Sequence, residues 1–152
     1  KQILFNEQFE YEFPGNSMNK EGEVSASIIG GNLSLIVDSL GTSSEINTEG
    51  KILFIEEIDE YLYKIDRMMV QLLRAGKLSN LAGLIVGHMT EMKDTKVPIN
   101  KAANELIHSL VSDFDYPIAI GLPIGHESLN LAIPCSRNVS LSINQSSVQL
   151  KG

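Results

Sequence analysis

The segment Ile52–Ile55 consists of four consecutive apolar residues that follow Gly50-Lys51 and run directly into an acidic stretch, 56–60. A short continuous apolar run of this kind is typical of a strand that is buried on both faces of a sheet. The segment therefore predicts a central strand in an α/β protein, with polar side chains at the point where that strand ends.

The neighbouring segments alternate between strand and helix patterns. Further strands are predicted at 24–29, 84–86 and 117–120. Apolar residues at helical spacing predict helices over 33–40, over 60–75 and from Pro98 onward. Asn32 is expected to cap the first helix, after a turn formed by Gly30-Gly31. The resulting order, β-α-β-α-β, indicates an α/β architecture.

The two ends of the chain predict additional strands. Apolar residues and serines alternate over 139–143, and a turn at 144–146 leads to a second strand at 148–150, a pattern typical of a β-hairpin. Residues 1–21 include an alternating segment at Gln2–Phe5, and we interpret them as an edge segment or a tie to an upstream domain.

Composition fits one globular domain, which we place at 22–152: a mixed sheet, flanking helices and the C-terminal hairpin. Hydrophobic residues make up 43% of the 152 residues, enough to form a core without disulfides or metal. The net charge of −7 and the scattered basic residues disfavour nucleic acid and anionic membranes as partners. The chain begins with Lys1 rather than Met, so we expect it to be a piece of a longer protein.

Four acidic residues follow the predicted central strand: Glu56, Glu57, Asp59 and Glu60. Open α/β sheets place ligands and catalytic groups at such strand ends. The alternative is that these acids only solvate the start of a helix, which suits Asp59 and Glu60 in a first helical turn. Glu56 directly continues the strand, and Glu57 must point to the opposite face. We therefore select Glu56 as the functional candidate and expect the other three to be surface carboxylates.

Histidine supplies a second candidate. His126 lies in a loop shaped by Gly121, Pro123 and Gly125, so its ring should be accessible, although an isolated loop histidine often has no function. His88 and His108 are interpreted as structural. A carboxylate and a histidine are two thirds of a nucleophilic triad.

The chain contains no convincing nucleophile for such a triad. It has no Gly-x-Ser-x-Gly motif, which would place a serine on a sharp strand-to-helix turn. Cys135, the single cysteine, has no neighbouring basic group or helix start, so we interpret it as a small buried hydrophobe.

Three other features have simpler explanations than a site. Gly30-Gly31-Asn32 resembles a phosphate loop but lacks the residues that would complete one. Met68 and Met69 are expected to fill the core. Tyr61, Tyr63 and Arg67 could line a cleft or simply form a helix surface.

Taken in order, several motifs resemble the C-terminal domain of the L,D-carboxypeptidases, the family of murein-tetrapeptide carboxypeptidases and microcin C immunity peptidases. The resemblance spans about Gly22 to Leu150. The matching segments are Gly30 to Leu33, Gly41-Thr42, Gly50 to Glu57, Glu60 with Tyr63, Ile65, Asp66 and Arg67, then Leu81 to Gly87, Gly121 to His126, Asn130 and Pro134.

The resemblance implies a two-domain serine peptidase whose N-terminal domain carries the nucleophilic serine. The C-terminal domain then supplies a glutamate and a histidine, here Glu56 and His126. Such enzymes cleave an L-to-D bond at the free carboxyl end of murein tetrapeptides and release D-alanine, and a sister branch cleaves microcin C. Members are usually cytoplasmic homodimers that need no metal or other cofactor.

From this resemblance we expect the fragment alone to be inactive, with a missing N-terminal domain and a murein peptide as its partners. The sequence departs from the family pattern at Asp59, Leu62 and Cys135-Ser136, so the resemblance defines the substrate less closely than the reaction type. The competing interpretation is a non-catalytic swivelling or ligand-binding domain in which Glu56 and His126 only close a pocket.

Overall fold

A computed structural model describes residues 8–152 of the chain. The elements within this range are β1 (Glu10–Pro14), β2 (Gly22–Asn32), α1 (Leu33–Asp38), β3 (Ile52–Ile58), α2 (Leu62–Arg74), β4 (Gly83–Thr90), α3 (Ala103–Val111), β5 (Ile118–Ile120), β6 (Asn138–Ile143) and β7 (Ser147–Lys151). The α/β fold with a C-terminal hairpin is thereby confirmed. The alternating segment at Gln2–Phe5 lies outside the described residues.

One mixed sheet carries these strands in the order β1-β7-β6-β2-β3-β4-β5. Strands β2 to β5 run parallel, whereas β1, β7 and β6 pair antiparallel with their neighbours. β2 joins the two parts, because 22–27 pair with β6 and 28–32 pair with β3. The carboxyl ends of the parallel strands therefore meet at one edge, which we call the carboxyl edge.

The central strand β3 is buried on both faces, as its apolar run predicts. Leu53 and Ile55 pack with the helices, among Ile65 and Met69, in one core cluster. Ile52 and Phe54 point the other way, into a second cluster that includes the following residues of β6 and β7: Val139, Leu141, Ile143, Val148 and Leu150. The amphipathic hairpin thus covers the face of the parallel strands that the helices leave open.

Two local predictions are wrong. Gly30 and Gly31 form no turn, because β2 continues through them and pairs them with Phe54 and Ile55. Helix α3 begins at Ala103 and not at Pro98. The residues before α3 form a loop, in which the Asp94 carboxylate accepts from the Ile99 N–H at 3.0 Å. The Glu105 carboxylate caps the helix at Ala103 by accepting from the Ala102 N–H at 2.7 Å.

Gly30 and Gly31, next to each other in β2, provide a matched test of the close approach between β2 and β3. Both have a positive φ, 142° at Gly30 and 153° at Gly31. A Cβ at Gly30 would lie 1.8 Å from the Phe54 carbonyl oxygen, whereas one at Gly31 would meet nothing within 4 Å. We expect Gly30→Ala to lower the free energy of unfolding by about 3 kcal/mol more than Gly31→Ala in urea denaturation. Equal losses would contradict this account of the strand pairing.

Candidate active site

Glu56 ends the buried part of β3 on the face opposite the helices. The residue as a whole is 6% exposed. Two glycines make room for it, since a Cβ at Gly87 would lie 3.3 Å from the Glu56 Cβ and one at Gly125 would lie 3.5 Å from it. The Glu56 carboxylate is therefore held on a rigid strand, in closely packed surroundings.

His126 lies against this carboxylate. Its Nδ1 is 2.7 Å from Glu56 Oε2, although the two residues are 70 positions apart in the sequence. The side chain of His126 is 47% exposed and that of Glu56 is 8% exposed. When Nδ1–H donates to the carboxylate, Nε2 is the nitrogen left for a reacting group.

The loop that carries His126 is fixed by backbone hydrogen bonds from β4. The Leu122 N–H donates to the Val86 carbonyl at 3.1 Å, and the His88 N–H donates to the Ile124 carbonyl at 2.7 Å. Asn130 Oδ1 accepts from the Gly125 N–H at 3.1 Å. These bonds attach the loop at the carboxyl edge, so the structure brings together the two residues that sequence analysis selected.

Glu57 is not a surface carboxylate, as the sequence led us to expect. It is 3% exposed and points to the helical face. Its carboxylate accepts from Asn32 Nδ2 at 2.6 Å, from the Ser34 N–H at 2.8 Å and from the Ile58 N–H at 3.0 Å. β3 extends to Ile58, beyond the predicted strand, so Glu57 lies inside the sheet and connects it to the start of α1.

Asp59 and Glu60 lie before α2 and not in its first turn, because the helix begins at Leu62. Asp59 has a φ of 60° and forms an ion pair with Lys93. Glu60 pairs with Lys64 at 2.9 Å. Burial opposes ionisation of Glu60, but the Tyr61 N–H and Lys64 outweigh it and lower its pKa. Both acids are therefore ion-paired and lie apart from the Glu56–His126 pair.

The remaining candidates do not extend the site. Cys135 is exposed, contrary to the prediction, because Pro134 takes the buried position and the chain turns at Ser136 with a φ of 67°. Tyr63 stacks against Arg67, whose guanidinium carbon is 5.0 Å from the ring centroid. Met69 is fully buried in the core, as predicted.

The residues described here offer no metal centre: within 8–152, no three His, Cys, Asp or Glu side chains converge as ligands. In the same range no helix has the length and apolar character needed to cross a membrane.

His88, which we interpret from the sequence as structural, also lies in this region. A Cβ at Gly125 would lie 3.1 Å from the His88 Cβ. The sequence signal at this position is the preceding residue, Gly87, at which β4 departs from regular pairing with β3.

Comparison with known proteins identifies the family of the chain. A family model described as the LD-carboxypeptidase C-terminal domain matches residues 25–141. The chain belongs to this family. Glu56 and His126 both fall inside the matched range, as does His88.

Relatives and solved structures match most of the length of this LD-carboxypeptidase domain. The chain is 33% identical over 144 residues to a probable murein peptide carboxypeptidase of Bacillus subtilis, and the match covers 93% of this chain and 45% of the relative. A murein tetrapeptide carboxypeptidase of Pseudomonas aeruginosa is 26% identical over 123 residues, 80% of this chain and 39% of the relative. The crystal structure of muramoyltetrapeptide carboxypeptidase from Oxalobacter formigenes superposes with a TM-score of 0.85 at 28% identity, covering 95% of this chain and 49% of that one.

A more distant structure shares only the fold. The microcin C7 self immunity protein MccF matches 88% of this chain and 40% of its own, with a TM-score of 0.75 at 18% identity. The LD-carboxypeptidase domain described here thus spans about half the length of the relatives it matches.

Proposed function

We propose that this chain is the C-terminal half of a serine L,D-carboxypeptidase that releases D-alanine from murein tetrapeptides. The observation that carries the proposal is the 2.7 Å contact between buried Glu56 and half-exposed His126. This is the acid and base part of a triad, with the base open on the side where a nucleophile would enter. Names of the relatives, which specify murein peptides, support the substrate class.

The chemistry follows from the roles that the two residues can take. A serine hydroxyl from the upstream half attacks the carbonyl carbon of the scissile amide, and His126 Nε2 takes its proton. Glu56 holds Nδ1–H in place and stabilises the imidazolium. The imidazolium then protonates the departing amine of D-alanine, which leaves an acyl-enzyme. Water attacks this acyl group while His126 takes its proton, and the serine oxygen leaves with that proton.

The carboxyl edge also has the surface that a docking domain would need. Four large apolar side chains are exposed on segments that follow β2, β3, β4 and β5: Leu35, Tyr61, Val97 and Leu129. We call these four residues the apolar rim. Leu73, which is also exposed, lies in the last turn of α2 and therefore towards the other edge. Large apolar side chains that stay exposed on the segments leaving one edge of the sheet are candidates for burial by another domain.

The proposal is tested with the full-length protein and a murein tetrapeptide. We expect D-alanine to be released from the peptide that ends in D-alanine and not from the same peptide ending in L-alanine, measured by chromatography of the products. Hydrolysis of a peptidyl-nucleotide, with no D-alanine release, would assign the chain to microcin C-type chemistry instead. Binding without hydrolysis of either compound would favour the non-catalytic domain.

A further inference from the structure

Strand β4 contains a bulge directly opposite Glu56. Pairing runs from Ile55 with Val86 to Glu57 with Met89, so two residues of β4, Gly87 and His88, stand opposite the single residue Glu56. A bulge of this type changes the direction of side chains and occurs often beside active sites. Without it, strand alternation would send the His88 side chain to the helical face.

Neighbouring contacts place His88 on the same face as Glu56. A Cβ at Gly125 would lie 3.1 Å from the His88 Cβ and 3.5 Å from Glu56 Oε2, so both side chains flank this glycine. The His88 N–H also donates to the carbonyl of Ile124 at 2.7 Å. His88 therefore stands beside the residue that immediately precedes His126.

The surroundings of the ring determine which of its nitrogens carries the proton. Nδ1 of His88 is shielded from solvent and has no hydrogen-bond partner among the described residues, while the residue as a whole stays partly exposed. A proton on Nδ1 would create a buried N–H without an acceptor, and such orphaned donors are rarer in proteins than under-satisfied buried acceptors. The tautomer protonated at Nε2 is therefore favoured, and the other edge of the ring then carries a hydrogen-bond donor.

A donor at this position suits an oxygen acceptor on the substrate. A carboxypeptidase must recognise the free carboxylate, which lies only one residue beyond the scissile carbonyl. Lys64 and Lys93 near this edge are paired with Glu60 and Asp59, whereas His88 flanks the same glycine as Glu56. We propose that the Nε2–H of His88 binds the terminal carboxylate of the peptide substrate and so makes the enzyme specific for free carboxyl ends. This inference rests on the proposed function.

The test compares two substrates in the full-length enzyme: a murein tetrapeptide ending in free D-alanine, and the same peptide ending in D-alaninamide. We expect His88→Ala to lower kcat/KM for the free acid by about 10–100-fold, mainly by raising KM, because a hydrogen bond to a charged group is lost. For the carboxamide the same variant should change kcat/KM by less than about 3-fold, since the charged acceptor is absent. His88→Gln, which keeps a donor near the Nε2 position, should recover part of the loss.

His108→Ala serves as the matched control, because His108 lies on α3 and outside the site; it should leave both rates unchanged. An equal loss on both substrates would show that His88 supports the loop structurally, and no loss on either would show that it does not contact the substrate. Both results overturn the inference while leaving the proposed function intact. If the wild-type enzyme releases neither D-alanine nor D-alaninamide, the proposed function and this inference fail together.

Discussion

In the full-length enzyme, Glu56→Gln is expected to lower kcat by about 10⁴, the scale seen when a triad acid loses its charge while its geometry survives. Glutamine fits the space between Gly87 and Gly125, but it cannot stabilise an imidazolium at His126 or hold its tautomer as a carboxylate does. The loss should appear in kcat, because the Glu56 side chain is only 8% exposed and contacts His126 rather than open solvent. Steady-state assays of D-alanine release measure it directly.

Glu57→Gln is the control that separates the two neighbouring acids. Glu57 is as buried as Glu56 but accepts its three hydrogen bonds on the helical face. We expect the substitution to lower the free energy of unfolding by about 1–3 kcal/mol, because an amide group replaces an acceptor of several N–H bonds. The kcat of the folded enzyme should change by only a few-fold. If Glu57→Gln abolishes turnover and Glu56→Gln does not, the triad assignment is wrong.

The 152-residue chain alone is expected to fold and to show no D-alanine release above background. Its two core clusters provide a folded domain, but under the proposed function the nucleophilic serine comes from an upstream half. A triad without its nucleophile keeps almost none of its rate enhancement. Circular dichroism checks the fold, and a coupled assay for D-alanine checks the activity.

Adding the separately expressed upstream half should restore activity, since the apolar rim gives that half a surface to bind. The double variant Val97→Ser/Leu129→Ser should weaken this association by at least about 10-fold, because two exposed apolar side chains lose their burial. Leu73→Ser, which removes an exposed leucine outside the rim, should leave it unchanged. Serine-dependent turnover by the isolated chain would contradict the split site, and a rim variant that associates normally would show that the apolar rim is not the docking surface.

Strand β3 shows how far sequence reasoning reaches. Its apolar run predicts a strand buried on both faces, and period-two alternation separates Glu56 from Glu57. Both inferences depend only on neighbouring residues, and both hold in the structure. The approach of His126 to Glu56 was expected from the order of the motifs in a family resemblance, because nothing in local periodicity relates two residues 70 positions apart.

Local sequence patterns predicted the type of most elements and the hairpin, and they selected Glu56 and His126 as candidates. The burial of Glu57, the exposure of Cys135 and the position of His88 were decided only by tertiary structure. Two of these depend on pairing between distant segments: the burial of Glu57 on α1 packing beside β3, and the position of His88 on a bulge that exists only relative to β3. Local propensity acts within a few residues, whereas strand register and side-chain burial are set by partners that the chain brings together when it folds.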